Sequence, residues 1–262
     1  MGDHMGIGTL LGATDRYVWK ARIRPVVLSV LPVALPAVAV APKWAEGGRL
    51  WVLVQLVPAG LLLLAEPFGR ARGKRIEREL FTGWGGKPSV QLLRWSGPMN
   101  RTQLVYLRLR VQEIVGSSLP LPSEEEERGD RVKADEVYET VGAVLRARAR
   151  ALTGGGLVAE HNCEYGFRRN ALGLRGWALT GAALGFAGLA GAVAWAAAAG
   201  AGIEAGQVML WSVLAAMDLA LFMFWYATVR PSWVESAAWD YARQLYETVN
   251  IPDAASPAAD AN

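Results

Sequence analysis

Residues 160–170 read Glu-His-Asn-Cys-Glu-Tyr-Gly-Phe-Arg-Arg-Asn, and they separate a polar segment from a long apolar one. The chain before them carries most of the charged residues, whereas the stretch from about Trp177 to Ala199 is apolar and rich in Gly and Ala. Arginines and aromatic residues at such a boundary are typical of a membrane–water interface. The stretch therefore predicts a helix that enters a membrane from a polar domain.

Four apolar blocks organise the rest of the chain into two hairpins. Each block approaches the length that a helix needs to cross a bilayer of about 30 Å, and the first two are near the short limit. The composition is 52% hydrophobic, and most of the 11 tryptophans flank the blocks. The predicted fold is an all-α or mainly α membrane protein with four transmembrane helices. The blocks are Pro25–Ala41, Leu50–Ala65, Trp177–Ala199 and Gln207–Val229.

Lysine and arginine crowd before the first block, after the second, before the third and after the fourth. By the positive-inside rule these flanks face the cytoplasm. We therefore expect a membrane protein with both termini and residues 67–175 in the cytoplasm. The two short turns then face outward.

The chain is divided accordingly into six segments. The opening Met-Gly-Asp-His-Met matches what a common cloning site encodes, so residues 1–4 are left out of the fold argument. The segments are an N-terminal basic segment (1–24), a first transmembrane hairpin (25–66), a cytosolic domain (67–175), a second transmembrane hairpin (176–229), a cytosolic amphipathic helix (230–250) and a disordered tail (251–262).

The cytosolic domain is predicted to be mostly helical. Apolar residues recur at helical spacing in Arg101–Val115 and in Lys133–Leu152. Ser89–Trp95 is expected to form a short strand or an extended arm. Ser123–Glu127 is expected to be a solvated acidic loop or the start of a helix.

One ionisable residue, Asp218, lies at the midpoint of the fourth block. A carboxylate at that depth costs roughly 2.5–3.5 kcal/mol on insertion scales and normally faces protein or water. One interpretation is a pore-lining, gating or proton-sensitive carboxylate, together with Gln55 and Ser212. The other is a protonated Asp that is hydrogen-bonded between helices, to Ser212, to Gln55 or to a carbonyl freed by a proline.

Small residues recur every three or four positions in the third block, at Gly181, Gly185 and Gly188. Such spacing lets helices approach closely. The pattern predicts a packing face, either within one chain or between subunits.

Two groups combine arginine or lysine with aromatic residues, and such groups can bind a phosphate and stack on a base. The alternative for the arginines is contact with lipid headgroups at the membrane surface. The candidate ligand-binding residues are Tyr165, Phe167, Arg168 and Arg169 in one group, and Trp84, Lys87 and Arg94 in the other.

Catalytic and metal-binding patterns are weak. His161 and Cys163 are two residues apart, so on a helix they point in different directions. A single cysteine excludes an intramolecular disulfide and supplies no metal-ligand set. We therefore expect no catalytic residue, no metal, no cofactor and no enzymatic activity.

The layout, with Trp84-Gly85-Gly86-Lys87-Pro88 and Tyr165-Gly166-Phe167-Arg168-Arg169-Asn170, resembles the small four-span effectors of bacterial antiphage systems, CBASS-like or Hailong-like. The resemblance implies a homo-oligomeric channel, or a membrane-disrupting effector, that is controlled from the cytosol. It also implies a nucleotide or oligonucleotide ligand, or a cytosolic signalling enzyme as partner. We take a tetramer as the leading expectation.

A second interpretation is a non-conducting membrane scaffold or signalling subunit that recruits a cytosolic partner through its basic domain. Only one carboxylate lies within the apolar blocks, which disfavours a coupled proton transporter. The two remaining interpretations differ in whether the protein passes ions.

Overall fold

The protein is mainly α-helical, which confirms the helical part of the predicted fold class. The computed structural model describes residues 17–44, 49–153, 156–198 and 203–251, with backbone alone at 38, 40–44, 49–59, 61–66, 152 and 153. No strand is present in these residues. A π-helical turn, Val18–Ile23, precedes the first α-helix, and a 3-10 turn, Thr248–Asn250, follows the last. The helices are α1 (Arg24–Trp44), α2 (Arg49–Gly83), α3 (Pro88–Gln91), α4 (Arg101–Val115), α5 (Glu124–Gly129), α6 (Arg131–Thr153), α7 (Gly156–Ala198), α8 (Ala205–Ala227) and α9 (Pro231–Glu247).

The chain forms two compact units. The apolar unit consists of Val18–Arg78 and Gly166–Val234. The polar unit consists of Glu79–Tyr165 and Glu235–Asn262, together with Met1–Tyr17. Most of the C-terminal helix α9 thus belongs to the same unit as the central polar segment.

Two helices, α7 and α8, are long and apolar enough to cross a membrane, as judged by length and composition. They correspond to the third and fourth predicted spans. No other helix in the described ranges meets the same criterion. Membrane association rests on these two helices, and the four-span arrangement stays a prediction.

The polar unit has one apolar core, which α4, α6 and α9 build from residues at helical spacing. Leu107 and Val111 of α4 pack with Val141 and Leu145 of α6 and with Leu245 of α9. Helix α4 coincides with the predicted helix 101–115, and α6 contains all of the predicted helix 133–152. Periodicity alone was sufficient here because each helix buries one continuous stripe.

The strand or extended arm predicted for Ser89–Trp95 is wrong. Pro88 begins the one-turn helix α3, and the chain continues in turns. Val90 and Leu93 are both buried in the core of the polar unit, which a three-residue helical spacing explains and strand alternation does not. A strand needs a neighbouring strand for its backbone hydrogen bonds, and none is present among the described residues.

The core of the apolar unit lies where α7 meets α8 and α1. Trp225 and Val229 are fully buried and pack with Ala178 of α7. Farther along the same helices, Leu189 packs with Leu214 of α8. Helix α1 continues through both of its internal prolines, Pro32 and Pro36.

Candidate functional site

Arg168 and Arg169, the two arginines of the predicted ligand site, make contacts within the apolar unit. Arg168 Nη1 donates to the Trp233 carbonyl oxygen at 3.0 Å, and its guanidinium carbon lies 5.0 Å from the centre of the Trp233 ring. Arg169 Nη1 lies 3.0 Å from Glu77 Oε1, with both side chains largely buried. Each guanidinium thus joins α7 to a neighbouring segment, α9 or α2.

The two aromatic members of that group fall in different units. Tyr165 belongs to the polar unit, where its ring stacks on Tyr241 at 6.4 Å and 8°. Phe167 belongs to the apolar unit, where it meets Trp233 edge to face at 5.9 Å and Arg24 lies over its ring at 5.4 Å. Burial raises the pKa of Tyr241, in keeping with an apolar setting for the Tyr stack.

The second predicted group, in the polar unit, forms a turn around Arg94. The Arg94 side chain, 4% exposed, donates to both oxygens of Asp135 at 2.7 and 2.6 Å and to the Gly85 carbonyl oxygen at 2.6 Å. Gly86 has φ +131°, and a Cβ there would lie 2.5 Å from Arg94 Nη2. The glycine pair after Trp84 is therefore explained by the turn that encloses this guanidinium.

The other two members of the group also have partners. Lys87 Nζ lies 2.7 Å from Glu139 Oε2 at a half-exposed position. Trp84 contacts Phe81 edge to face at 5.8 Å. The assignment of these seven residues to a ligand stays a prediction, and a ligand at Arg94 would have to displace Asp135.

A buried polar network, which the sequence analysis missed, lies in the same unit. Glu127 accepts hydrogen bonds from Trp95 N at 2.9 Å, Tyr138 Oη at 2.7 Å and Ser96 Oγ at 3.1 Å. Arg108 donates to Tyr138 Oη and to the carbonyl oxygens of Leu93 and Pro122. Every member named here is satisfied, which is typical of a structural network.

The acidic run was expected to be a solvated loop or a helix start. The helix start is confirmed, because Ser123 and Glu126 form a capping box at the beginning of α5. The solvated loop is wrong for Glu127, which is buried. Burial raises its pKa, but the hydrogen bonds from Trp95, Tyr138 and Ser96 outweigh that effect, and the pKa of Glu127 lies below its ordinary value. Burial and Glu127 together raise the pKa of Tyr138 to about 12.

Asp218 is fully buried in α8, and neither carboxylate oxygen has a hydrogen-bond partner within the described part of the chain. Ser212 does not lie beside it, because its hydroxyl is exposed and donates to the Val208 carbonyl oxygen of the same helix. The side chain of Gln55 lies outside the described residues. The predicted polar group therefore reduces to Asp218 and its immediate contacts.

Those contacts are with a glycine and a proline. A Cβ on Gly185 would overlap Asp218 Oδ2 and would lie 2.7 Å from the Pro32 carbonyl oxygen. Gly181 also approaches α1, and its Cβ position lies 3.1 Å from Val33 Cγ2. Gly188, the third predicted packing glycine, has open space at that position. The close approach of α7 to α1 thus uses Gly181 and Gly185.

Another close helix contact was missed, although its signal is present in the sequence. A Cβ on Gly173 of α7 would lie 2.8 Å from the Gly73 backbone nitrogen and 3.2 Å from the Gly69 carbonyl oxygen of α2. Gly69 and Gly73 are four residues apart, the spacing that marks close helix pairs. Beside them Asn170 Nδ2 donates to the Ala21 carbonyl oxygen at 2.8 Å.

A cavity of about 510 Å³ opens on the polar unit. Tyr106, Trp239 and Arg243 line it together with Gln103 and Asn250. The volume lies within the usual range for small-molecule sites. Its lining combines aromatic and amide side chains with the charged Arg243 and Glu247.

No family model, curated protein or solved structure matches this chain. Among the described residues, no group of three His, Cys, Asp or Glu side chains is placed to hold a metal ion. We therefore infer the function from the geometry described above and from the resemblance of the layout to four-span effectors.

Proposed function

We propose that this chain is a cytosol-controlled effector of the bacterial inner membrane, acting as an oligomeric channel or by disrupting the membrane. In this proposal four helices span the bilayer, both termini and residues 67–175 are cytoplasmic, and several chains assemble, with four as the leading number. Antiphage defence under nucleotide or oligonucleotide control follows from the resemblance of the layout to such effectors.

The observation that carries the proposal is the length of α7. Its 43 residues correspond to about 65 Å at 1.5 Å per residue. A bilayer core takes about 30 Å of that length, so about half of the helix extends beyond it. A continuous helix of this kind is suited to passing a change in its polar half to its apolar half.

Two structural features support the proposal of control from the cytosol. Arg168 and Arg169 bind the part of α7 just before its apolar half to Trp233 and Glu77, so a change at either contact alters how α7 is held against its neighbours. The cavity lined by Tyr106, Trp239 and Arg243 offers a small ligand aromatic surfaces and one cation. We assign ligand control to that cavity and transmission to the arginines.

A non-conducting scaffold is the second candidate function. It is favoured by apolar side chains exposed on one side of α4, where Val105 is 40%, Tyr106 56% and Leu109 61% exposed. Such residues on a polar unit are consistent with a partner surface.

Ion flux separates the two. The purified full chain and an Arg169→Gln variant, which loses the ion pair with Glu77, are reconstituted in potassium-loaded liposomes at rising protein density. We expect potassium release that grows faster than linearly with density and is larger for the variant. Absence of release from both proteins, with insertion verified by flotation, contradicts the channel and leaves the scaffold.

A further inference from the structure

Asp218 is the one carboxyl group among the described residues whose buried oxygens both lack a hydrogen-bond partner. It is 0% exposed and has no hydrogen-bond partner among the described residues. By contrast, the buried Arg94, Arg108 and Glu127 of the polar unit and the buried Asn170 of α7 all have partners. A buried polar group without a partner is costly, and an ionised one is costlier still. The Asp218 carboxyl group therefore needs a bonding partner that none of the described side chains supplies.

A second, independent feature lies opposite this carboxyl group. In a regular α-helix the carbonyl of Pro32 would accept from the backbone N–H of residue 36, but residue 36 is proline and has no N–H. The Pro32 carbonyl oxygen is thus deprived of its regular donor. It points toward the same place as Asp218 Oδ2, because both oxygens flank the position where Gly185 would carry a Cβ.

The surroundings offer no compensating charge. Residues 25–42 of α1 and 176–203 at and after the apolar half of α7 contain no Asp, Glu, Lys, Arg or His, and in 205–229 Asp218 is the only one. Residues 50–65, which belong to α2, contain none either, and their one amide side chain is Gln55. Two oxygen atoms that lack a donor therefore lie near the same point of an uncharged interior, where a hydrogen on one of them would allow a hydrogen bond between them.

We propose that Asp218, Gly185 and Pro32 form a proton-binding site between α8, α7 and α1. The occupied site holds the proton on the Asp218 carboxyl, which donates it to the Pro32 carbonyl oxygen. When the proton is released to water, a carboxylate anion is left facing a carbonyl oxygen, and the contact between α8 and α1 is weakened. The site is a property of the helix packing and does not depend on whether the protein conducts ions.

The first test compares the full chain with Asp218→Asn in lipid nanodiscs. The amide of Asn donates to the carbonyl without titrating, so the variant keeps the contact at every pH. We expect the wild-type unfolding midpoint to fall below that of the variant as pH rises, approaching a tenfold loss in the folding equilibrium per pH unit. Identical pH courses for the two proteins would overturn the proposal.

Infrared spectroscopy detects the protonated Asp218 carboxyl group directly in the folded wild-type protein. The proposal can therefore be tested even if Asp218→Asn does not fold. We expect a carboxylic-acid carbonyl band that shifts in heavy water. In Pro36→Ala the restored N–H supplies the Pro32 carbonyl, and the band should move toward that of a more weakly bonded acid. No acid band in the wild type, or an unmoved band in Pro36→Ala, contradicts the assignment.

Two controls identify other occupants. Gln55→Leu should leave the acid band at its wild-type frequency. If the band shifts in Gln55→Leu and not in Pro36→Ala, Gln55 is the hydrogen-bond partner of Asp218, and the assignment of that role to Pro32 is overturned. Replacing choline with sodium at fixed pH and ionic strength should not change the unfolding midpoint. Stabilisation by sodium in the wild type and not in Asp218→Asn would show a metal cation in place of the proton.

Discussion

Glu77 and Arg169 form an ion pair between α2 and α7, with 3.0 Å between Oε1 and Nη1 and side chains that are 20% and 12% exposed. The same region of α2 approaches α7 most closely at Gly73, where the Gly173 Cβ position lies 2.8 Å from its backbone nitrogen. The pair therefore lies beside a tight helix contact and is shielded from water on one side.

Removing one partner of this pair should destabilise the apolar unit. An exposed pair contributes roughly 0–1 kcal/mol, whereas breaking a buried one costs roughly 3–5 kcal/mol, so Glu77→Gln should fall between these limits. Thermal unfolding in nanodiscs measures the loss. Arg110→Gln, which removes an exposed contact with Glu113, is the matched control. A larger loss in the control would contradict the shielding of the Glu77 pair.

A side chain at Gly86 should disrupt the turn around Arg94. The residue has φ +131°, and a Cβ would lie 2.5 Å from the guanidinium, so Gly86→Ala combines backbone strain with displacement of a buried charge. We expect a loss on the order of 1–3 kcal/mol by denaturant unfolding. Gly83→Ala, with open space and no positive φ, should be neutral. Equal stability of the two variants would refute this account of the glycine pair.

Acid should weaken the polar unit through Glu127. The pKa of Glu127 is lower in the folded protein than its ordinary value of 4.5, so its contribution is complete above that pH and is lost as pH falls through the folded pKa. Hydrogen exchange of the backbone amides of α4 and α6 should report unfolding of this unit in that acidic window. Tyr138→Phe removes one donor to the carboxylate and should move the acid transition to higher pH. An unmoved transition would exclude Glu127 as its source.

The predicted topology can be tested with reporter fusions. Fusions after Phe81 and after Asp253 should report the cytoplasm, and a fusion after Gly47 should report the outside, because most Lys and Arg residues flank the apolar blocks on one side. An outside signal from the Phe81 fusion would reverse the arrangement. An inside signal from the Gly47 fusion would reduce the number of spans.

The helices were predictable where one face is buried in one core, as for Leu107 and Val111 of α4. Partners distant in sequence were not predictable, because no local pattern connects Arg94 with Asp135, 41 residues away. The four consecutive glutamates before Arg128 look equally solvated in the sequence, and only the fold directs Glu127 inward. Gly69 and Gly73 were a missed signal, since their spacing is the one that was recognised for Gly181 and Gly185.

The glycine beside Asp218 should be the least replaceable residue of α7. Gly185→Ala places a methyl group against Oδ2, the Pro32 carbonyl oxygen and Pro36 Cγ at 3.0 Å. One of these neighbours is a backbone oxygen of α1 and another is an atom of a rigid proline ring, so the helices must separate. Overpacking of this kind costs typically about 1–3 kcal/mol.

Unfolding of the purified protein in nanodiscs gives the size of this effect. Gly188→Ala lies one turn away on the same helix with open space at its Cβ position, so it should leave the midpoint unchanged and serves as the matched control. In Gly181→Ala the new Cβ would meet the Val33 side chain at 3.1 Å. Its unfolding midpoint should lie between those of Gly185→Ala and Gly188→Ala. If Gly188→Ala is as damaging as Gly185→Ala, the loss reflects the helix face in general, and the close contact of α7 with α1 is not its cause.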